Sequence, residues 1–194
     1  METDVKEWLR ESGIIFLKNI GIKEGQVVLD FGCSVGHYAI PAANVVGEKG
    51  KVYAVDNDKK SLNEMMEIAT RENIKNIVPM YTQSAELKIN LNDESVDVIL
   101  LYDILHYMDV MERNKIYNES YRVLKNDALF SVYPKHNKLD EPLWNLSDMQ
   151  LEGIIKEIEG AKFNFEGQFY KKLIHDNNYN SGYILSFTKK QKMR

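Results

Sequence analysis

From Val27 to Tyr133 the chain alternates between short apolar runs rich in β-branched residues and longer segments whose apolar positions recur at helical spacing. The runs are QVVLDF, KVYAVD, IVPMY, SVDVILLY and ALFSVYP. HYAIPAANVV, KKSLNEMMEIATREN and VMERNKIYNESYRVLK are the helical segments between them, and Pro41 is tolerable because it falls near a first turn. Strands that are apolar almost throughout bury both faces, and strands that alternate with helices pair in parallel. The prediction is therefore an α/β domain, doubly wound, with helices on both faces of a mostly parallel sheet.

Beyond Pro134 the pattern changes. KHNKLDEPLWNL predicts a loop, SDMQLEGIIKEIEG a helix opened by Ser147, and AKFNFEGQFY with SGYILSFTKK a terminal strand pair separated by the turn residues NNYNSG. Adding this pair makes a seven-stranded sheet with an antiparallel terminal strand. Before the first run, residues 4 to 19 place Val5, Trp8, Leu9, Ile15 and Phe16 at roughly helical spacing, with Gly13 a weak point, so one or two short helices are expected there. Residues 1 to 194 read as a single domain: a helical cap over 1 to 20, a core over 22 to 133 and a closing section over 134 to 194.

Charge and cysteine content narrow the function classes. Lys plus Arg 25 against Asp plus Glu 29 leaves a formal charge of −4, which argues against binding nucleic acid along its phosphate backbone. The basic tail KKQKMR reads as a solvated terminus. Lone Cys33 excludes an internal disulfide framework and a multi-cysteine zinc site, and the histidines show no metal-ligand spacing, so no metal is expected. The charged amino-terminal segment lacks the form of a signal peptide, and the apolar patch GIIFL is far too short to span a bilayer. A cytoplasmic location with no membrane partner is the expectation; the oligomeric state is left open.

The sharpest chemical signal is Gly32-Cys33-Ser34-Val35-Gly36, directly after the first apolar run. Literally, it is the G-x-S-x-G elbow of a serine hydrolase. That reading needs an oxyanion-hole loop from an earlier strand, and only a helical region precedes Val27. A dinucleotide loop, G-x-G-x-x-G, would need glycines where the chain has Ser34 and His37. What remains is a glycine-rich strand-to-helix loop whose bare backbone approaches a nucleotide-like ligand. Asp30 lies just before it. Asp56, twenty residues past Gly36, ends the next run where a carboxylate can accept hydrogen bonds from ribose hydroxyls. Capping the following helix is the alternative fate for Asp56.

In these residues the chain resembles the class I S-adenosylmethionine-dependent methyltransferases. Their first motif is approximately V-L-D-x-G-C-G-x-G, matched by VVLDFGCSVG with Ser34 in place of the middle glycine. GKVYAVDND matches the strand that ends in an acid, DVILLYDILHYM the apolar strand running into Leu-His, and RVLKNDA half of R-V-L-K-P-G-G. The resemblance covers roughly residues 22 to 133 and implies the Rossmann-like methyltransferase fold with S-adenosylmethionine as cofactor.

It also implies roles. Asp30 would reach the methionine amine, Gly32 and Cys33 would line its carboxylate with backbone, and Ser34 and Gly36 would shape the loop. Asp56 would take the ribose, Asn57 would flank the adenine and Ala85 would meet its edge; with Ser84 where the family carries an acid, hydrogen bonding there shifts to Glu86. The Tyr102 carbonyl would face the amine. His106 is either a general base lining the acceptor pocket or a partly buried polar residue; Tyr107, Tyr133, His136 and Trp144 could wall an apolar pocket, which favours a small organic acceptor, and residues 134 to 194 form the acceptor-side section. The expected activity is methyl transfer to a small organic acceptor by in-line displacement. An RNA- or protein-directed methyltransferase and a cofactor-binding domain without transferase activity are the alternatives.

Overall fold

The structure, a computed structural model, describes residues 3–83 and 87–189. Its strands are β1 (Val27–Phe31), β2 (Lys51–Asp56), β3 (Ile77–Tyr81), β4 (Val96–Tyr102), β5 (Leu124–Tyr133), β6 (Phe163–His175) and β7 (Asn178–Lys189). They form one sheet in the order β3-β2-β1-β4-β5-β7-β6. Pairing is parallel within β1–β2, β2–β3 and β4–β5 and antiparallel between β5 and β7, the architecture expected from the alternation. By packing, the chain divides into two compact units, Met1–Ser84 with Lys172–Asn180, and Ala85–Lys171 with Ser181–Arg194.

In the first unit, β1 lies against β2 from Val27 opposite Lys51 to Phe31 opposite Val55, which brings the ends of both strands together. Helix α3 (Ala39–Val46) is buried at every residue but Asn44, as a helix that is apolar at every other position must be. Its end is held by the Asn76 amide, which donates to the carbonyls of Ala43 and Gly47 at 2.9 and 2.8 Å. Helix α4 (Lys59–Arg71) buries only the stripe Leu62, Met65 and Ala69 and is capped by Asp58. At the amino terminus, α1 (Thr3–Glu7) continues through a π-helical turn (Trp8–Ser12) into α2 (Gly13–Asn19).

In the second unit, β4 is buried from Val98 to Tyr102 and pairs with β5. Helix α5 (Val110–Val123) opens with a full capping box: Asp109 accepts from the Glu112 amide, and Glu112 accepts from the Asp109 amide. Helix α6 (Leu151–Gly160) buries Leu151, Ile154 and Ile158. Its Glu157 forms a two-pronged ion pair with the buried Arg113 of α5 at 2.8 and 2.9 Å. Among the described residues no helix is long and apolar enough to cross a membrane.

Three local expectations are corrected. The fifth strand begins at Leu124, because the register jumps from Val96–Leu124 to Val98–Leu129 and the surplus residues form a bulge with Asp127 at φ 57°. Ser147 closes a 3₁₀ turn (Trp144–Leu146), and α6 starts after Gln150. The terminal strands extend past the predicted turn: Asp176 and Asn177 form the connection, and NNYNSG mostly continues as β7.

Candidate functional site

The loop between β1 and α3 is built by backbone conformations that glycine favours. Gly32 and Gly36 have φ 80° and 90°. The amides of Gly32 and Cys33 both donate to the Val55 carbonyl, at 2.8 and 3.1 Å, and so fold the loop across the end of β2. The Gly36 amide then donates to the Cys33 carbonyl at 2.8 Å and closes the turn. A Cβ on Gly36 would stand 2.5 Å from Met65 Cγ, so the glycine lets the α4 stripe pack directly under the loop. Ser34 is also left-handed, at φ 45°, a conformation that costs a side-chain-bearing residue about 1–2 kcal/mol.

The Ser34 strain is offset by Asp56, whose Oδ2 accepts the Ser34 amide at 2.7 Å while Oδ1 accepts the Asp58 amide at 2.9 Å. Asp58 itself accepts from the Lys60 and Ser61 amides. The helix-cap role therefore belongs to Asp58, and Asp56 is a half-buried strand-end acid tied to the loop. Asn57 beside it is exposed.

Asp30 sits at the end of β1 with 2 % of its surface exposed, and its Oδ2 has no hydrogen-bond partner. Burial, followed by the neighbouring Asp56 charge, pushes its carboxyl up to about 7, although the Ala39 amide pulls the other way. A cation placed against such a carboxyl would supply the missing donor and offset the cost of ionising it. Cys33 is inert: burial and the two nearby carboxylates push its thiol far up, away from thiolate chemistry. Ser34 lacks the hydrolase constellation, since among the described residues its hydroxyl has no hydrogen-bond partner and only helix precedes β1. Ala85 and Glu86, with Ser84, lie outside the described residues.

Tyr102 and His106 belong to the second unit. The Tyr102 hydroxyl lies 2.7 Å from Ser131 Oγ, and its ring meets Tyr133 edge-on. His106 lies on a 3₁₀ turn (Leu105–Tyr107), 2 % exposed, with Nδ1 3.7 Å from the Asp103 carboxylate. Around its ring stand Tyr107, His136 and Trp144, at centroid distances of 4.0, 4.6 and 5.5 Å. Tyr107 and Trp144 are 62 % and 57 % exposed, which gives this unit an open aromatic face. Arg113 holds the turn from behind by donating to the Met108 carbonyl at 2.9 Å.

Two anchors escaped the sequence reading. Lys135 is fully buried and pairs with Asp140 and Glu141 at 2.6 and 3.1 Å, and the backbone carbonyl of the same Glu141 accepts from His136 Nδ1 at 2.8 Å. An acid five residues from a lysine in a loop has no recognisable signature. Trp8 counted only as an apolar helical position, and its indole N–H donates to the His37 carbonyl at 2.8 Å.

A family profile described as "Methyltransferase domain" matches residues 22–178. A ubiquinone/menaquinone biosynthesis C-methyltransferase of Escherichia fergusonii is 31 % identical over 127 residues, 63 % of this chain and 48 % of that protein. A probable cobalt-precorrin-6B C(15)-methyltransferase of Saccharolobus solfataricus is 29 % identical over 85 residues, 44 % of this chain and 43 % of its own length. Among solved structures, a SAM dependent methyltransferase from Aquifex aeolicus is 27 % identical, with a TM-score of 0.73 over 94 % of this chain and 93 % of that one. The chain thus spans less than half the length of the curated relatives it matches.

Proposed function

We propose, from the premise that the chain belongs to the methyltransferase-domain family, that it binds S-adenosylmethionine and methylates a small organic acceptor. The observation that carries the proposal is the buried, unpartnered Asp30 Oδ2 at the root of the glycine loop, a site that an amine completes. S-adenosylmethionine, when bound, supplies a methyl group already activated by its sulfonium.

The chain's residues then have positional tasks. Asp30 takes the ammonium, and Asp56 takes the ribose hydroxyls with the lone pairs left by Ser34 and Asp58. Gly32, Cys33, Ser34 and Gly36 present backbone; the Gly32 and Cys33 amides are already committed to Val55, so these two residues contribute close approach rather than donors. Asn57, the Tyr102 carbonyl, Ala85 and Glu86 retain the roles that the resemblance assigns them. His106, with the Asp103 carboxylate 3.7 Å from its Nδ1, is the proton acceptor on the acceptor side, and the open Tyr107–Trp144 face receives an apolar acceptor.

A small-molecule acceptor is supported by the relatives, whose names carry quinone and precorrin methylation, and by the net negative charge, which disfavours a nucleic-acid substrate. The lone Cys33 accords with a cytoplasmic setting. The test is formation of S-adenosylhomocysteine from S-adenosylmethionine, followed across a panel of phenols, quinols, amines and carboxylic acids. Acceptor-dependent turnover that His106→Ala lowers by about 10²–10⁴-fold is the expected result. Turnover only with RNA or a protein would overturn the small-acceptor reading.

A further inference from the structure

We infer that Trp8 is a positioning residue for the cofactor loop, acting through its indole N–H on the His37 carbonyl. Trp8 is 1 % exposed and opens the π-helical turn, a distortion that re-aims one side chain and is frequent at functional sites. Gly13 makes the arrangement possible: a Cβ there would stand 2.7 Å from the Trp8 carbonyl and 2.9 Å from its ring. The indole, so aimed, meets the first residue after Gly36, where the loop leaves its left-handed turn for α3.

The anchor is itself braced from several sides. The Trp8 ring packs against Phe16 at 5.6 Å and edge-on against Tyr38 at 5.5 Å and Tyr179 at 6.2 Å. Tyr38 Oη donates to the Ile174 carbonyl at 2.8 Å, and the Tyr179 amide donates to Asp4 at 3.0 Å. The amino-terminal helix and the tip of the terminal hairpin thus hold the exit of the loop, while Asp56 holds its middle. Another aromatic side chain would keep most of the ring packing. Only a ring donor fixes the His37 carbonyl.

The inference rests on the loop binding the cofactor, and the experiment separates the two claims. S-adenosylhomocysteine affinity is measured by calorimetry on the full chain, wild type and Trp8→Phe. It is also measured on a chain with benzothienylalanine placed site-specifically at position 8, which keeps the ring's shape and replaces N–H by sulfur. Amide exchange is followed across residues 32–38. Expected are a loss of roughly 3- to 10-fold in affinity in both variants, the scale of one hydrogen bond, and faster exchange confined to the loop. Should Trp8→Phe fail to fold, the isosteric chain gives the answer. Unchanged affinity in the folded isosteric chain, whatever its melting temperature, would overturn the positioning role while leaving the cofactor site intact. Absence of binding by the wild type would overturn the cofactor site and this inference with it.

Discussion

The Ser34 amide donates to the Asp56 carboxylate across 2.7 Å, so the residue that departs from the family's glycine is held by the acid assigned to the ribose. Asp56→Ala removes a charged acceptor and releases a strained loop residue in the same step. Cofactor binding should weaken by on the order of 1.5–3 kcal/mol, about 10- to 150-fold in the dissociation constant. Calorimetry with S-adenosylhomocysteine on the folded variant checks this, and an unchanged constant would leave Asp56 a purely structural acid.

Ser34→Gly should behave in the opposite way. Glycine adopts the φ of 45° without the steric cost serine meets, and the backbone amide that reaches Asp56 is retained. A gain of about 1 kcal/mol is expected, which for a chain of this size raises the melting temperature by roughly 2–4 °C, with cofactor affinity kept or improved. Lower stability would show that the serine side chain makes a contribution larger than its strain.

Gly36→Ala places a methyl 2.5 Å from Met65 Cγ at a φ of 90°. The overpacking and the backbone strain act together, and a loss of about 1–3 kcal/mol or more is expected in denaturant unfolding. Adding Met65→Ala should not restore full stability, since it relieves the clash and leaves the φ.

Asp30 makes both stability and binding depend on pH. Its folded carboxyl titrates near 7 against an ordinary 3.8, so between these values the folded chain carries a proton that the unfolded chain lacks. Stability of the unliganded protein therefore falls as pH rises through this window and is lowest, for this group, above 7. An ammonium ligand needs the ionised form, so its affinity should rise with pH by up to about tenfold per unit and level off above 7. Asp30→Asn should bind weakly with no such slope and should melt higher than the wild type at pH 8. Calorimetry and thermal scans from pH 5.5 to 8.5 read both effects.

The sequence revealed the sheet because Val28, Leu29, Val98, Ile99 and Leu100 are buried, and full burial writes a continuous apolar run. It revealed the loop because Gly32 and Gly36 stand where φ is positive. What it missed is set by three-dimensional partners with no spacing rule. Trp8 bonds a carbonyl 29 residues away, and Lys135 is buried because Asp140 and Glu141 fold back onto it. The start of β5 is hidden in the sequence because the bulge carries polar residues, Lys125 to Asp127, inside a strand. The sequence alone leaves His106 between two readings; the nearby Asp103 carboxylate and the exposed aromatic neighbours favour the acceptor side.

The Gly32–Gly36 loop with Asp30 and Asp56 is proposed as an S-adenosylmethionine site, distinct from a dinucleotide or hydrolase site. A thermal-shift comparison of S-adenosylhomocysteine with NAD on the wild-type chain tests it most directly. A ligand at ~100 times its dissociation constant stabilises by about 2.7 kcal/mol, a shift of several degrees for a chain of this size. That shift is expected with S-adenosylhomocysteine, with a smaller one in Asp30→Asn and Asp56→Ala, and none with NAD. Equal shifts from both ligands, or none from either, would contradict the assignment.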